Sequence, residues 1–334
     1  MGDGFILGLT ATPERLDGRG LDDHFDVMVK GPSPAWLIQH GYLSPFDYYA
    51  PHIPDTSGID TVAGDFHKGQ GAALMDQPAL IGNIVEHYLE LAAGQKGLVF
   101  ASTREHSRKL AEAFTAEGVP AEHVEGTMKG DKRERAFDAF DAGDTRLLIN
   151  VDICGEGLDV AGVNYVGLGR ITKSRSLHKQ QCGRAIRPPD RAIICDHAGN
   201  GLRLQDLPDT DVDWTLQGRV KSTRNSATLD PGQSIRQCLE CYRIAYSFEE
   251  VCPGCGTEFP KRAARSMEQV EGKLSKVDQE EMRAAAARQR KSEEKQCKSY
   301  RDFLNLATAR GYSNPDGWAK MRMKFKTSYR GSGR

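Results

Sequence analysis

The sequence predicts an α/β protein, a parallel sheet with helices on both faces, followed by a small cysteine-rich ribbon and a helical tail. Three observations carry that prediction. Between residues 79 and 196, five short strand-like runs alternate with stretches whose apolar residues recur at helical spacing. The runs 97–101, 147–151 and 163–168 are almost continuously apolar, as strands buried on both faces are. Beyond them lie Cys238, Cys241, Cys252 and Cys255, two Cys-x-x-Cys pairs ten residues apart.

Taken in order, residues 5–9 read as a strand, and 13–31, polar and glycine-bearing, as a linker. Residues 33–40 read as a short helix with Ser33 as cap, Pro34 at its first position and Gly41 closing it. A strand is expected at 46–50, then a loop over 51–71 from its proline, glycine and aspartate content. Leu80, Ile84, Tyr88 and Leu91 place a helix over 79–93, and 97–101 is a buried strand. Helix 104–117 ends at Gly118, strand 121–124 follows, and helix 132–140 turns Phe137 and Phe140 to the core. Strand 146–151, helix 174–186 and strand 192–196 complete the alternation. Residues 199–234 lack periodicity. A long charged helix is expected over 263–298, then two short ones over 300–329 broken by Gly311 and Pro315. No internal repeat is visible.

At 334 residues the chain is long enough for two domains, with 39% apolar and 27% charged residues. No apolar run approaches the roughly 18 residues of a membrane span, so no membrane partner is expected. The start, Met1-Gly2-Asp3-Gly4, has an acid where a secretory signal has bases, which points to the cytoplasm. The net charge of −1 hides a division. Residues 1–216 hold 21 Lys+Arg against 32 Asp+Glu, whereas 261–334 hold 19 against 9. A basic tail on an acidic body is a nucleic-acid footprint; a solvated, lysine-rich helix is the plainer alternative.

The chemistry concentrates in residues 146–188. Arg184 and Arg187, three residues apart, share a face if the helix runs through them, with Gln180 one turn before Arg184. Guanidinium forks of fixed charge suit phosphate, and are expected at the carboxyl edge of the sheet. The spacing Gln-x-x-Gly-Arg-x-x-Arg-Pro, after Gly155-Glu156-Gly157-Leu158-Asp159, resembles motifs VI and V of the superfamily-two helicases. Gly8-Leu9-Thr10-Ala11-Thr12-Pro13 resembles their motif III, and Leu98-Val99-Phe100-Ala101-Ser102-Thr103 with Arg104 their motif IV. Val124-Glu125-Gly126 is similar to the short motif after it, and all fall in the family's order.

The resemblance implies a remnant of a first RecA-like lobe and linker at 1–44 and a second RecA-like lobe at 45–200. ATP with Mg2+ would lie between two lobes, with Arg184 and Arg187 on the γ-phosphate and Gln180 alongside. Gly157 and Asp159 would couple nucleotide to nucleic acid, Thr10 and Thr12 would couple hydrolysis to lobe closure, and Ser102, Thr103 and Arg104 would hold a strand's backbone. Where many relatives carry a phosphate-binding threonine, this chain has Val151, with Asn150 as the candidate substitute. No Gly-Lys is followed by Ser or Thr, and no Asp-Glu dipeptide occurs. The phosphate grip and magnesium carboxylate must then come from a first lobe, upstream in cis or in trans, and the chain alone is expected to be inactive. The plainer alternatives are that the arginines pair with acids such as Asp159 or Asp196 and that Ser102 and Thr103 simply cap a helix.

A linker is expected at 201–234, a zinc ribbon at 235–260 and a basic helical tail at 261–334. Cys238, Cys241, Cys252 and Cys255 have the spacing of a closed tetrahedral Zn2+ site, with disulfides as the alternative. The tail mixes Tyr300, Phe303, Tyr312, Trp318 and Phe325 with Lys320, Arg322, Lys324 and Lys326, a pattern that suits either base stacking or a small helical core. His178 is expected to be packed or solvent-facing. The function expected is the C-terminal part of an ATP-dependent helicase or translocase acting on nucleic acid, DNA before RNA. The alternative is a non-catalytic zinc-ribbon nucleic-acid-binding protein on a degenerate lobe.

Overall fold

The computed structural model describes residues 6–15, 18–128, 130–151, 153, 162–187, 190–218, 234–260, 279–312 and 314–328, with side chains omitted at 279–287 and 325–328. The first elements are α1 (Pro34–Gln39), β1 (Phe46–Tyr49), β2 (Thr61–Val62), β3 (Asp65–Phe66), α2 (Lys68–Met75) and α3 (Pro78–Leu91). Then come β4 (Gly97–Ala101), α4 (Arg104–Ala116), β5 (Ala121–Glu125), α5 (Gly130–Ala142), β6 (Leu147–Val151), β7 (Tyr165–Gly169) and α6 (Arg175–Cys182). After β8 (Ala192–Asp196) and α7 (Asn200–Leu204), the hairpin β9 (Ile235–Gln237) and β10 (Ile244–Tyr246) follows. Six strands form one sheet in the order β1-β8-β7-β4-β6-β5, every pair parallel.

Side chains alternate across that sheet, and the two faces build two cores. Leu98, Phe100, Leu148, Val166, Leu168 and Ile194 face Phe140 of α5 and Cys182 of α6. Val99, Ala101, Leu147, Ile149, Tyr165 and Cys195 face Ile84 and Tyr88 of α3 and Leu110 and Phe114 of α4. Helices therefore cover both faces, which is why the central strands read as unbroken apolar runs. Local signals fix the helix ends: Ser33 accepts from Trp36 N at the start of α1, and Gly41 and Gly118 take φ +74° and +79° after α1 and α4.

Four expectations are corrected. Residues 6–9 form no strand, and Ile6, Leu7 and Leu9 are 78%, 86% and 91% exposed. A single strand has no stability without a sheet to pair with. The 51–71 loop contains the hairpin β2–β3, turning on Ala63 and Gly64 at φ 50° and 84°. Paired left-handed residues make a tight hairpin turn, and alanine there hid the signal. The helix expected over 174–186 stops at Cys182 with Gly183 as its cap, because glycine and the approaching Pro188-Pro189 both disfavour continuation. Residues 199–218, expected as linker, are folded: α7 leads into buried Asp206, Leu207 and Thr210, and Arg19 bridges Gly218. At that bridge a side chain on Gly20 would meet Leu216 O at 1.8 Å, so only glycine fits.

The chain divides into two units, Met1–Arg262 and Ala263–Arg334. The ribbon belongs to the first. Ile235 and Ile244 join the core around Tyr48 and Leu207, Ala50 N donates to Tyr242 O (3.0 Å), and Tyr49 bridges Arg243. The edge strand β1 is thus covered. The second unit holds α8 (Gln279–Gln296), α9 (Tyr300–Ala309) and α10 (Pro315–Ser328) around Cys297, Phe303 and Ala319. Among the described residues no helix is long and apolar enough to cross a membrane.

Candidate nucleotide and nucleic-acid interface

Chain order and strand order together locate a crevice. From β4 the chain leaves through α4 towards β5 on one side; from neighbouring β7 it leaves through α6 towards β8 on the other. The carboxyl ends of β4 and β7 therefore form a topological switch point, where open α/β sheets take ligands. Ser102 stands there, its Oγ donating to Gly169 O across the two strand ends at 2.9 Å. Thr103 caps α4, its Oγ1 accepting from His106 N at 3.1 Å. Thr103 thus makes the helix cap of the plainer reading whereas Ser102 ties two strand ends, and the α4 N-terminus, with its positive dipole end, faces the crevice. Arg104 opens α4, 54% exposed, with Nε 2.6 Å from Glu125 Oε2.

Asn150 does not reach this surface. It is fully buried and its Nδ2 donates to Val99 O at 3.1 Å, tying β6 to β4, so it cannot replace a phosphate-binding threonine. Gly157 and Asp159 lie outside the described residues.

The arginine pair occupies a different end of the lobe. Arg184 and Arg187 follow α6, on the turn where Ala185 N donates to Cys182 O and Arg187 N to Ala185 O, and both are half-buried. Ser44 N donates to Ile186 O (3.2 Å) and Ala192 N to Pro45 O (2.9 Å), beside the starts of β1 and β8. The pair therefore lies towards the amino edge of the sheet, and its shared helical face is replaced by a turn. On α6 before the pair, Gln180 meets the N-terminal segment. Gln180 Nε2 donates to Thr12 Oγ1 at 2.9 Å, and Thr12 N to Thr10 Oγ1 at 3.1 Å. Next to Gln180, Lys179 locks α6 by reaching Asp206 Oδ1 (3.1 Å), Leu207 O (2.6 Å) and Thr210 O (2.7 Å). Burial raises the pKa of Asp206, opposed by that ammonium. Asp196, named with Asp159 as a partner for the arginines, is fully buried and accepts from Tyr48 OH (2.7 Å) and Gly201 N (2.8 Å).

The four ribbon cysteines form one cluster, all Sγ atoms lying within 4.8 Å of one another. Cys238 and Cys255, and Cys241 and Cys252, are each 3.6 Å apart. Zn–S bonds of about 2.3 Å in a tetrahedron require sulfurs about 3.8 Å apart, so the donor set fits such an ion. Two equivalent knuckles build it. Tyr242 N donates to Cys238 O and Gly256 N to Cys252 O, both at 3.0 Å, and the two residues take φ +58° and +76°.

Beside Arg104, sequence reasoning missed Arg108 and singled out Glu125 only within the Val124-Glu125-Gly126 segment, not as a partner of the arginines. Arg108 lies one turn along α4, and Glu125, ending β5, accepts from it at 3.4 Å. The i, i+4 spacing of the arginines was legible; their common acid, on another strand, was not.

A parallel sheet with helices on both faces and a switch point at its carboxyl edge is an open α/β lobe of the RecA-like type. Residues 80–189 match the helicase conserved C-terminal domain. A 51.5 kDa protein of Lactococcus phage (isolate 7-9) is 30% identical over 281 residues, 83% of this chain and 61% of that protein. UvrABC system protein B of Chlorobium phaeobacteroides is 25% identical over 63% of this chain and 36% of its own length. The ATP-dependent RNA helicase SrmB of Haemophilus influenzae is 26% identical over 31% of this chain and 24% of its own. The C-terminal domain of the DEAD-box protein Dbp5 aligns at 18% identity and a TM-score of 0.34 over 39% of this chain and 76% of that domain. Over residues 80–189 the chain thus carries a helicase conserved C-terminal domain. It spans less than two thirds of the length of these sequence relatives.

Proposed function

We propose that this chain supplies the second half of an ATP-dependent helicase or translocase. Its amino-edge face, with Gln180, Arg184 and Arg187, completes a nucleotide site whose phosphate grip lies on a first lobe. Its carboxyl edge, with Ser102, Thr103 and Arg104, holds the backbone of one nucleic-acid strand. The observation that carries the reading is the Gln180–Thr12 hydrogen bond, which joins the segment similar to motif VI to the segment similar to motif III across 168 residues of sequence. The exposed Ile6, Leu7 and Leu9 support it, since they need the sheet of another lobe to cover them.

ATP with Mg2+ brings the scissile phosphoanhydride. The chain's part is electrostatic: guanidiniums that cannot lose their proton are held where negative charge develops on the transferred phosphoryl group. Gly157 and Asp159 fall to the coupling of that event to the strand. The ribbon holds Zn2+ through four thiolates, which leaves no open coordination position and makes the site structural.

The chain alone is expected to bind single-stranded nucleic acid and turn over no ATP. Adding a first-lobe polypeptide that bears the phosphate loop is expected to give nucleic-acid-stimulated turnover, and Arg187→Ala to lower it about a thousandfold. Turnover by the chain alone, or indifference to Arg187→Ala, refutes the proposal. The separateness of the basic unit favours a second reading, a non-catalytic binding protein. On that reading no mixture turns over ATP, and removing residues 235–334 abolishes binding.

A further inference from the structure

We infer that Glu125 is a positioning residue that sets Arg104 and Arg108 as a two-armed clamp for the phosphodiester backbone of a nucleic-acid strand at the carboxyl edge of the sheet. The inference rests on the proposed strand-holding role of that edge. Glu125 ends the edge strand β5 with its side chain 14% exposed, whereas Arg104 and Arg108, one turn apart on α4, are 54% and 57% exposed. One carboxylate thus serves two guanidiniums: Oε2 is 2.6 Å from Arg104 Nε and Oε1 is 3.4 Å from Arg108 Nη2. Each guanidinium carries five donors, so a single shared acid leaves most of them, and a surplus positive charge, on the exposed side. The next base on the helix is differently committed, Lys109 being held by Asp76 (2.6 Å) and Glu105 (3.0 Å).

The position of the acid is set by β5, which it ends, and its strand neighbour His123 is fixed in turn. Ser107 Oγ donates to Ile149 O at 2.9 Å and so accepts from His123 Nδ1 at 2.6 Å. That places the His123 proton on Nδ1 and leaves Nε2, 3.9 Å from Glu125 Oε2, with no proton to donate, so the close partners of the carboxylate are the two arginines. Orienting a flexible arginine in this way removes the rotamer entropy that an unsupported surface arginine loses on binding.

The test is fluorescence anisotropy of a labelled oligothymidylate with the full chain over a range of salt. Arg104→Ala and Arg108→Ala are each expected to reduce the slope of log affinity against log salt by about 0.7. Glu125→Gln adds one positive charge, so charge alone would tighten binding. Positioning requires the opposite, a weakening on the order of fivefold. In an Arg104→Ala/Arg108→Ala background Glu125→Gln is expected to weaken binding no further, which a general loss of structure would not spare. Equal or tighter binding by Glu125→Gln, or an undiminished effect in that background, overturns the inference. If the unaltered chain binds no oligonucleotide at low salt, it is the proposed function that fails.

Discussion

Three buried histidines make the stability of the lobe depend on pH. His106 Nδ1 accepts from Ser102 N (3.3 Å), His178 Nε2 meets Asp206 O (3.2 Å) and His197 Nε2 meets His87 Nδ1 (3.1 Å). Burial lowers the pKa of His106 to about 4 and of His178 and His197 to about 3. From pH 6.5 down to those values the unfolded chain binds protons that the folded chain refuses, so stability falls as pH falls, by about 1.4 kcal/mol per pH unit for each group. Asp196, Asp206 and Asp209, their pKa values raised by burial, act in the opposite sense and flatten the lower part of the curve. The thermal midpoint is expected to drop from pH 7 to pH 5, and His197→Asn to make that drop shallower. A drop of unchanged steepness in the variant would contradict the assignment. His178 is legible in sequence only as packed or solvent-facing, because what decides is Asp206, 28 residues away. The cysteines are legible because metal-ligand spacing is local; the Glu125 clamp is not, because it is made between elements.

At the scale of elements, the strands and most helices follow from short-range pattern, since burial on two faces and helix caps leave their marks in adjacent residues. The misreadings have separate causes. The apolar residues at 6–9 lack a sheet, the 61–66 hairpin turns on an alanine, and α6 stops where glycine and prolines outweigh the apolar pattern. The ribbon illustrates a further limit. Its spacing identified two knuckles, but not that Tyr242 would bond Ala50 or that Arg243 would reach Asp47 at 2.5 Å. These contacts seat it on β1, the strand that would otherwise leave a line of unpaired backbone groups at the edge. With Zn2+ held as proposed, metal removal is expected to act on the sheet. Chelation, or Cys252→Ser, is expected to lower the thermal midpoint and speed amide exchange in β1 while β4 stays protected. Unchanged exchange in β1 of the metal-free chain would show the ribbon to be an appendage.

At the scale of the whole molecule, charge and structure divide at nearly the same place. Residues 1–262 carry 28 Lys+Arg against 37 Asp+Glu, and 263–334 carry 17 against 9. The basic unit has its own core and its own fastening: Ser299 and Asp302 form a capping box, and Arg310 holds Glu293 (2.7 Å) and Glu294 (3.0 Å). The cores of the acidic unit are likewise made of its own residues. Truncation after residue 262 should therefore leave the thermal midpoint of the lobe in place. Nucleic acid is another matter. With nucleic acid bound as proposed, an acidic lobe repels the phosphate backbone at long range while Arg104 and Arg108 attract it locally, so the basic unit is expected to supply most of the screened, sequence-independent attraction. The truncated chain is accordingly expected to bind oligonucleotide at least about tenfold more weakly at low salt, with a shallower salt dependence. Its residual binding should still respond to Arg108→Ala. If truncation leaves both affinity and salt slope unchanged, the attraction resides wholly in the lobe and the charge division has no part in binding.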